Sequence, residues 1–397
     1  MKQRVQGYDL ARAVAILAMV LINFQVFLLE SPDGLALDVP WRWLSHLPSG
    51  RSSALFVTLA GVGISLMSRS SDRRAVQKTL LLRSLFLLVS GNLLILVWRI
   101  DILHFYAFYL AIAALVFLRF SDRELLAAAA SIALFSGLLA VAFDWGDTEY
   151  WSLRGMPIDI FVDGIHPVVP WIAFVLSGMW VGRRDLRDPG TRRRLMLGGA
   201  LVACAAELAG QGFEGLAAVL SWPPELTTIG TTGWSPDPLY VVAASGTSVF
   251  AIATCQEIVS RFGERLVVRA LISTGQVSLS IYILHALVGV GVPRWLLGLE
   301  DSTDWLRLMG WWALFCVLAV SAAHLWRRRF SRGPLEWGMR KLCGDTPPAA
   351  PPADVSSTSP PPRWPWIAVA AAVVAVAAFR VGGIVSPAWG CSDDLRL

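Results

Sequence analysis

Residues 9–29 read DLARAVAILAMVLINFQVFLL. Only Asp9 and Arg12 are charged, and both stand in what would be the first turn of a helix. The remainder, at about 1.5 Å per residue, is long enough to cross a hydrocarbon core of roughly 30 Å. In lipid such a segment must satisfy its own backbone polar groups, and a helix does so alone. Comparable apolar runs recur at roughly 53–68, 80–98, 101–118, 125–143, 166–182, 195–213, 238–260, 270–292, 306–326 and 364–385. The predicted fold class is therefore all-α, a polytopic transmembrane helix bundle of about 10–11 spans. The second and sixth runs are short enough to be tilted or partly re-entrant.

The composition agrees. Charged residues make up 16% of the 397 residues and hydrophobic residues 55%, with a mean hydropathy of +0.57. A soluble domain carries about 25% charged residues. The formal charge of +5 does not mark a nucleic-acid partner, because the basic residues sit in short clusters between apolar runs. The five cysteines form no CxxC pair, which argues against a disulfide framework or a zinc site. The first run is too long for a cleaved signal peptide and is read as a permanent span.

Lys and Arg bias predicts an N-terminus in the cytoplasm. That orientation leaves only Arg42, Arg51, Arg99, Arg154, Arg294, Arg307, Arg380 and Arg396 outside, eight of the 34 basic residues. The long outside loops, 30–52, 144–165, 214–237 and 293–305, are rich in Trp, Pro, Gly and Asp. Their tryptophans suit an interfacial belt or a sugar-stacking surface. Residues 344–363, GDTPPAAPPADVSSTSPPPR, form a Pro-rich linker. It divides a ten-span membrane domain, 1–343, from an appended anchor and short tail, 364–397.

The sequence holds no HExxH, P-loop, GxGxxG or nucleophile elbow. What can carry chemistry is the set of polar residues in or beside the spans, each expensive to place there. Asp9, Arg12 and Asn23 share one face of the first helix; a capping pair plus a packing Asn would also produce that pattern. His46 ends the first outside loop and can act as a general base or be merely interfacial. Asp101 and His104 stand at i, i+3, so the Asp can orient the imidazole or cap the helix. His166 enters the sixth span, His285 lies within the ninth, and His324 falls near the cytoplasmic end of the tenth.

The same segments resemble a known group. Gly7-Tyr8-Asp9-Leu10-Ala11-Arg12, with Asn23-Phe24, is similar to the opening helix of the transmembrane acyltransferases, which include heparan-alpha-glucosaminide N-acetyltransferases and the YeiB-like bacterial proteins. Residues 54–63, 101–106, 167–183, 275–285 and 333–337 resemble their later motifs in the same order. The resemblance spans about 4–343. It implies an acyl-CoA-dependent O- or N-acyltransferase of the bacterial plasma membrane. Acetyl-CoA would be the donor, no metal would be needed, and a sugar or glycan would be the acceptor. It places the catalytic His on His46 and its helper on Asn23, although the Trp and Asp that follow the family's His have no counterpart here. Asp101 and His104 are further catalytic candidates. Asp9, Arg12, His166, Arg183, Arg184 and His285 are candidates for substrate binding, with cytoplasmic arginines on the CoA phosphates. Membrane lipids are the expected surroundings, and a homodimer is compatible with the sequence. A transporter of a small acyl compound or lipid precursor, or a non-catalytic scaffold, would also place polar groups in spans.

Overall fold

The computed structural model describes residues 5–28, 50–69, 72–96, 101–142, 152, 155–221, 237–296 and 305–344. His46, the linker and the final apolar run lie outside the described residues. Among those described, the chain is helical with no strand. The elements are α1 (Gly7–Leu28), α2 (Arg51–Ser68), α3 (Arg73–Ile95), α4 (Leu103–Leu115), α5 (Asp122–Ala142), α6 (Gly155–Ile158, continued by a π turn Asp159–Asp163) and α7 (Val168–Gly182). They continue with α8 (Pro189–Val219), α9 (Pro238–Phe262), α10 (Leu266–Gln276), α11 (Ser278–Leu284, followed by π turns His285–Val290 and Val292–Leu296), α12 (Trp305–Arg329) and α13 (Pro334–Cys343).

Six of these helices are long and apolar enough to cross a membrane, and two bent pairs can each be a further span. The shorter α4 and the apolar stretch of α5 occupy the remaining predicted positions. Leu93, Leu138 and Leu201 are each more than 60% exposed on the outer helix faces. Water would penalise such a continuous apolar exterior, whereas lipid does not.

The structure differs from expectation at the bent pairs. The apolar helix expected at 166–182 is preceded by Gly155–Asp163, bent by 45° from α7, a geometry that fits a broken span or a re-entrant loop. The ninth breaks by 78° between α10 and α11. The break is satisfied from a distance: the Glu336 carboxylate accepts from the N–H of Leu279 (2.8 Å), the N–H of Ser280 (3.1 Å) and the Ser280 hydroxyl (2.6 Å). It thus caps α11 as an N-terminal side chain would.

Helix ends pair as alternating spans require. At one end, Gly7 N donates to Gln256 Oε1 (2.9 Å), Arg192 pairs with Glu257 (2.7 Å) and Arg183 with Asp122 (2.8 Å). This is the basic end. At the opposite end, the Tyr240 hydroxyl donates to Gly50 O (3.0 Å), and Arg51 pairs with Glu207. Between them α2 and α7 cross with backbones almost touching. A Cβ on Gly61 would lie 2.0 Å from Val175 O, and one on Gly178 would lie 1.9 Å from Thr58 O. Small residues at crossings are how membrane helices gain packing without a hydrophobic driving force.

Candidate functional site

Toward the end of the bundle opposite the basic one, α1, α4 and α11 bury a connected polar group. Asn23 Nδ2 lies 2.8 Å from His285 Nε2, and His285 Nδ1 faces the Tyr282 carbonyl. A carbonyl only accepts, so Nδ1 carries the proton and Nε2 accepts from the Asn23 amide. One N–H of that amide is thereby used and the second remains to the Asn23 side chain. The Tyr282 hydroxyl donates to Asp101 Oδ1 (3.1 Å) and accepts from Ile102 N (3.1 Å). Asp101 Oδ2 in turn accepts from His104 N (3.0 Å) and faces His104 Nδ1 at 3.1 Å. The two local roles predicted for Asp101 thus coexist. It caps α4, and it holds His104 in the Nδ1–H tautomer, which puts the lone pair on Nε2.

An aromatic wall adjoins this group. The His104 ring stacks near Phe105, Phe105 meets His166 edge-on at 6.0 Å, and His166 meets Trp171 at 4.5 Å. The His166 carbonyl accepts from the Tyr109 hydroxyl (2.5 Å), while its Nδ1 is buried without a hydrogen-bond partner. Asp159, in the π turn after α6, lies within electrostatic reach of His104. Gly91 on α3 makes room for the dyad. A Cβ there would sit 2.5 Å from His104 N and 2.6 Å from Asp101 Oδ2.

A second polar group lies toward the basic end. Arg12 donates to Asp9 Oδ1 (3.0 Å), and Asp9 Oδ2 accepts from Gln276 (3.3 Å). Arg12 also lines a cavity of about 190 Å³ between α1, α2, α3 and α4, whose walls are mostly apolar. Arg83 and Tyr106 reach the same cavity. Arg83 makes one contact to the Met67 sulfur (3.3 Å), and its Nε has no hydrogen-bond partner. The buried Tyr106 hydroxyl has none either. Tyr106 lies within electrostatic reach of Arg12, in this group, and of Tyr282, in the other.

The predicted site residues therefore divide. Asn23 and His285 are brought together, Asp101 and His104 form a dyad, and Tyr282 joins the two pairs. His166 stands beside them, and Asp9 with Arg12 occupies the other end. Arg183 and Arg184 instead clamp a loop: both bond Asp122, Arg183 also reaches Phe120 O (2.6 Å), and Arg184 lies over the Trp180 ring. Sequence reasoning missed Tyr282, Gly91, Arg83, Tyr106 and Glu336. Tyr106, Tyr282 and Glu336 sit inside segments that carry the family resemblance. Arg83 had a signal as well, a charge inside an apolar helix. Among the described residues no group of three or more His, Cys, Asp or Glu is placed to hold a metal.

The family described as heparan-alpha-glucosaminide N-acetyltransferase, catalytic, matches residues 4–217, more than half of the chain. The chain belongs to this family. A second family, described as protein of unknown function (DUF418), matches residues 184–344. No curated protein matches the chain. The acetyltransferase match holds Asn23, Asp101 and His104, whereas Tyr282 and His285 lie within the other match. The buried polar group is thus assembled across both.

Proposed function

We propose that this chain is a membrane acyltransferase that moves an acetyl group from acetyl-CoA to a hydroxyl or amine of a sugar or lipid-linked glycan. Its N-terminus would face the cytoplasm of a bacterial cell, the donor reaching the basic end and the acceptor the opposite end. The observation that most supports this is the cavity of Arg12, Arg83 and Tyr106. A bare buried donor costs about 1–3 kcal/mol, and two residues that line this cavity each carry one, the Arg83 Nε and the Tyr106 hydroxyl. An anionic ligand with a polar thioester arm would satisfy both.

The donor supplies an activated thioester. The chain's own groups then bind and orient. Arg12 and Arg83 hold phosphate through charge-assisted bonds, a role predicted for Arg183 and Arg184 but better served by groups that share a cavity. Asn23, held by His285, offers its second N–H to a developing oxyanion. His285 uses both ring nitrogens on neighbours, which makes it a positioning residue. Two imidazoles are candidates to take the acceptor's proton: His46, which the resemblance singles out, and His104, which Asp101 orients.

The test is labelled acetyl transfer by the full chain in liposomes. Arg83→Gln should raise the donor KM about tenfold with a smaller effect on kcat. His46→Ala and His104→Ala, compared side by side, identify the base by a loss of about 10²–10⁴-fold. An unchanged donor KM in Arg83→Gln would remove the donor cavity from the mechanism. A transporter is the second reading, favoured by the two bent spans, since carriers place broken helices at their binding sites. It predicts movement of the acyl compound with no covalent product.

A further inference from the structure

A larger cavity, of about 480 Å³, opens at the basic end between α10 and α12. Arg269, Arg327 and Arg328 line it, against one carboxylate, Glu264. The side chains of Arg269 and Arg328 have no hydrogen-bond or ion-pair partner among the described residues. His324, also in the lining, has both ring nitrogens buried without a partner. Solvated basic residues are ordinary at the inner end of membrane helices. A concave cluster of guanidinium groups beside a half-buried imidazole whose two nitrogens are buried and unsatisfied is different, because such nitrogens cost free energy without a partner.

The surroundings indicate what fills it. Leu266 and Val267 on α10 and Leu325 on α12 are each more than 60% exposed, so the helices that carry the arginines also present apolar side chains outward. A ligand with an anionic head and apolar chains matches both features. We propose that this cavity binds the phosphate of an anionic phospholipid headgroup from the adjacent leaflet. Arg269 and Arg328 supply charge-assisted bonds and His324 lies beneath. Arg327 is anchored by donating to Gln276 Oε1 (2.8 Å), and Gln276 bonds Asp9, the partner of Arg12. A hydrogen-bonded chain therefore runs from the lipid site to the cavity assigned to the donor. Occupancy of the first should shift affinity in the second. That coupling rests on the donor assignment, whereas lipid binding does not.

The full chain, reconstituted in phosphatidylcholine nanodiscs, is compared with and without phosphatidylglycerol. Retained lipid is counted by native mass spectrometry and stability is read by thermal unfolding. The expected result is selective retention of phosphatidylglycerol with a raised Tm. Arg269→Gln and Arg328→Gln should each weaken retention about tenfold, and Arg193→Gln, at an exposed arginine outside the cavity lining, should leave it unchanged. Equal retention of both lipids overturns the site. So does an equal loss in Arg193→Gln, which would mean diffuse charge attraction. Stabilisation by inorganic phosphate in pure phosphatidylcholine, without preference for phosphatidylglycerol, overturns the lipid as the source. Should Arg269→Gln fail to fold, Arg269→Lys and His324→Gln carry the same comparison. For the coupling, Gln276→Ala should abolish the effect of phosphatidylglycerol on acetyl-CoA affinity while lipid retention persists. If the effect survives, the chain does not transmit it.

Discussion

Gly91→Ala tests whether α3 sets the Asp101–His104 dyad. The added Cβ would stand 2.5 Å from His104 N, 2.6 Å from Asp101 Oδ2 and 3.0 Å from His104 Cα, where ordinary contact begins at 3.4 Å. The shortfall to His104 N is 0.9 Å, and two of the three atoms struck belong to the backbone of α4, which cannot turn aside. The carboxylate is the third, and it is already held by Tyr282 and His104. Overpacking of this kind costs about 1–3 kcal/mol, and weakening a hydrogen bond to a charged group adds about another 1.5–3 kcal/mol if it is lost. Displacement of a reacting group by about 1 Å typically lowers rate by about 10²-fold. Thermal unfolding of the purified protein should therefore show a clear fall in Tm, and with His104 as the base acetyl transfer should drop by roughly that factor. Gly198→Ala is the control, since a Cβ there meets nothing within 4 Å, and replacing a mid-helix Gly should stabilise by about 0.5–1 kcal/mol. A Gly91→Ala protein as stable and as active as the original would refute the packing of α3 on the dyad.

Asn23→Ala and His285→Ala should couple in a double-mutant cycle by about 0.5–3 kcal/mol in stability; additive effects would mean that the side chains do not meet. Glu336→Ala should destabilise by about 2 kcal/mol, as a lost charged cap does, with Glu336→Gln milder. Equal stability of all three proteins would show that the break at Val277 is capped otherwise. Asp188 accepts from the N–H and the hydroxyl of Thr191, both at 2.7 Å, and these bonds hold its carboxyl below the usual range. The contribution of this cap is therefore present above the unfolded value of about 3.9 and is lost as pH falls through the lower folded value. A titration of Asp188 by NMR with a midpoint at or above the ordinary value would contradict it. Cysteine probes at 35, 147 and 230 should react with an impermeant reagent from outside the cell, and probes at 72 and 190 only after permeabilisation; labelling of the latter from outside would reverse the topology.

The sequence alone located the apolar helices, except at the two bent pairs, because the membrane forces each apolar run to satisfy its own backbone, and that constraint is local. Asp101 and His104 were legible for the same reason, since an i, i+3 spacing already fixes which side chains meet. Asp9 and Arg12 share that spacing and do meet. The partner of Asn23 was not legible. It lies 262 residues away, on a helix whose rotation depends on how α10 and α11 break. That break depends on Glu336, more than fifty residues further along. Tyr282 reaches Asp101 across 181 residues. A run of apolar residues around a polar one gives the depth of that residue but not the neighbour it faces. Arg183 and Arg184 show the converse: their position beside a quoted motif suggested a ligand, and the folded chain spends them on Asp122. Which buried polar groups pair, and which are left to line a cavity, is decided by helix rotation and crossing. Only tertiary packing sets those, because lipid makes no demand on which way a polar side chain turns so long as it finds a partner inside the bundle.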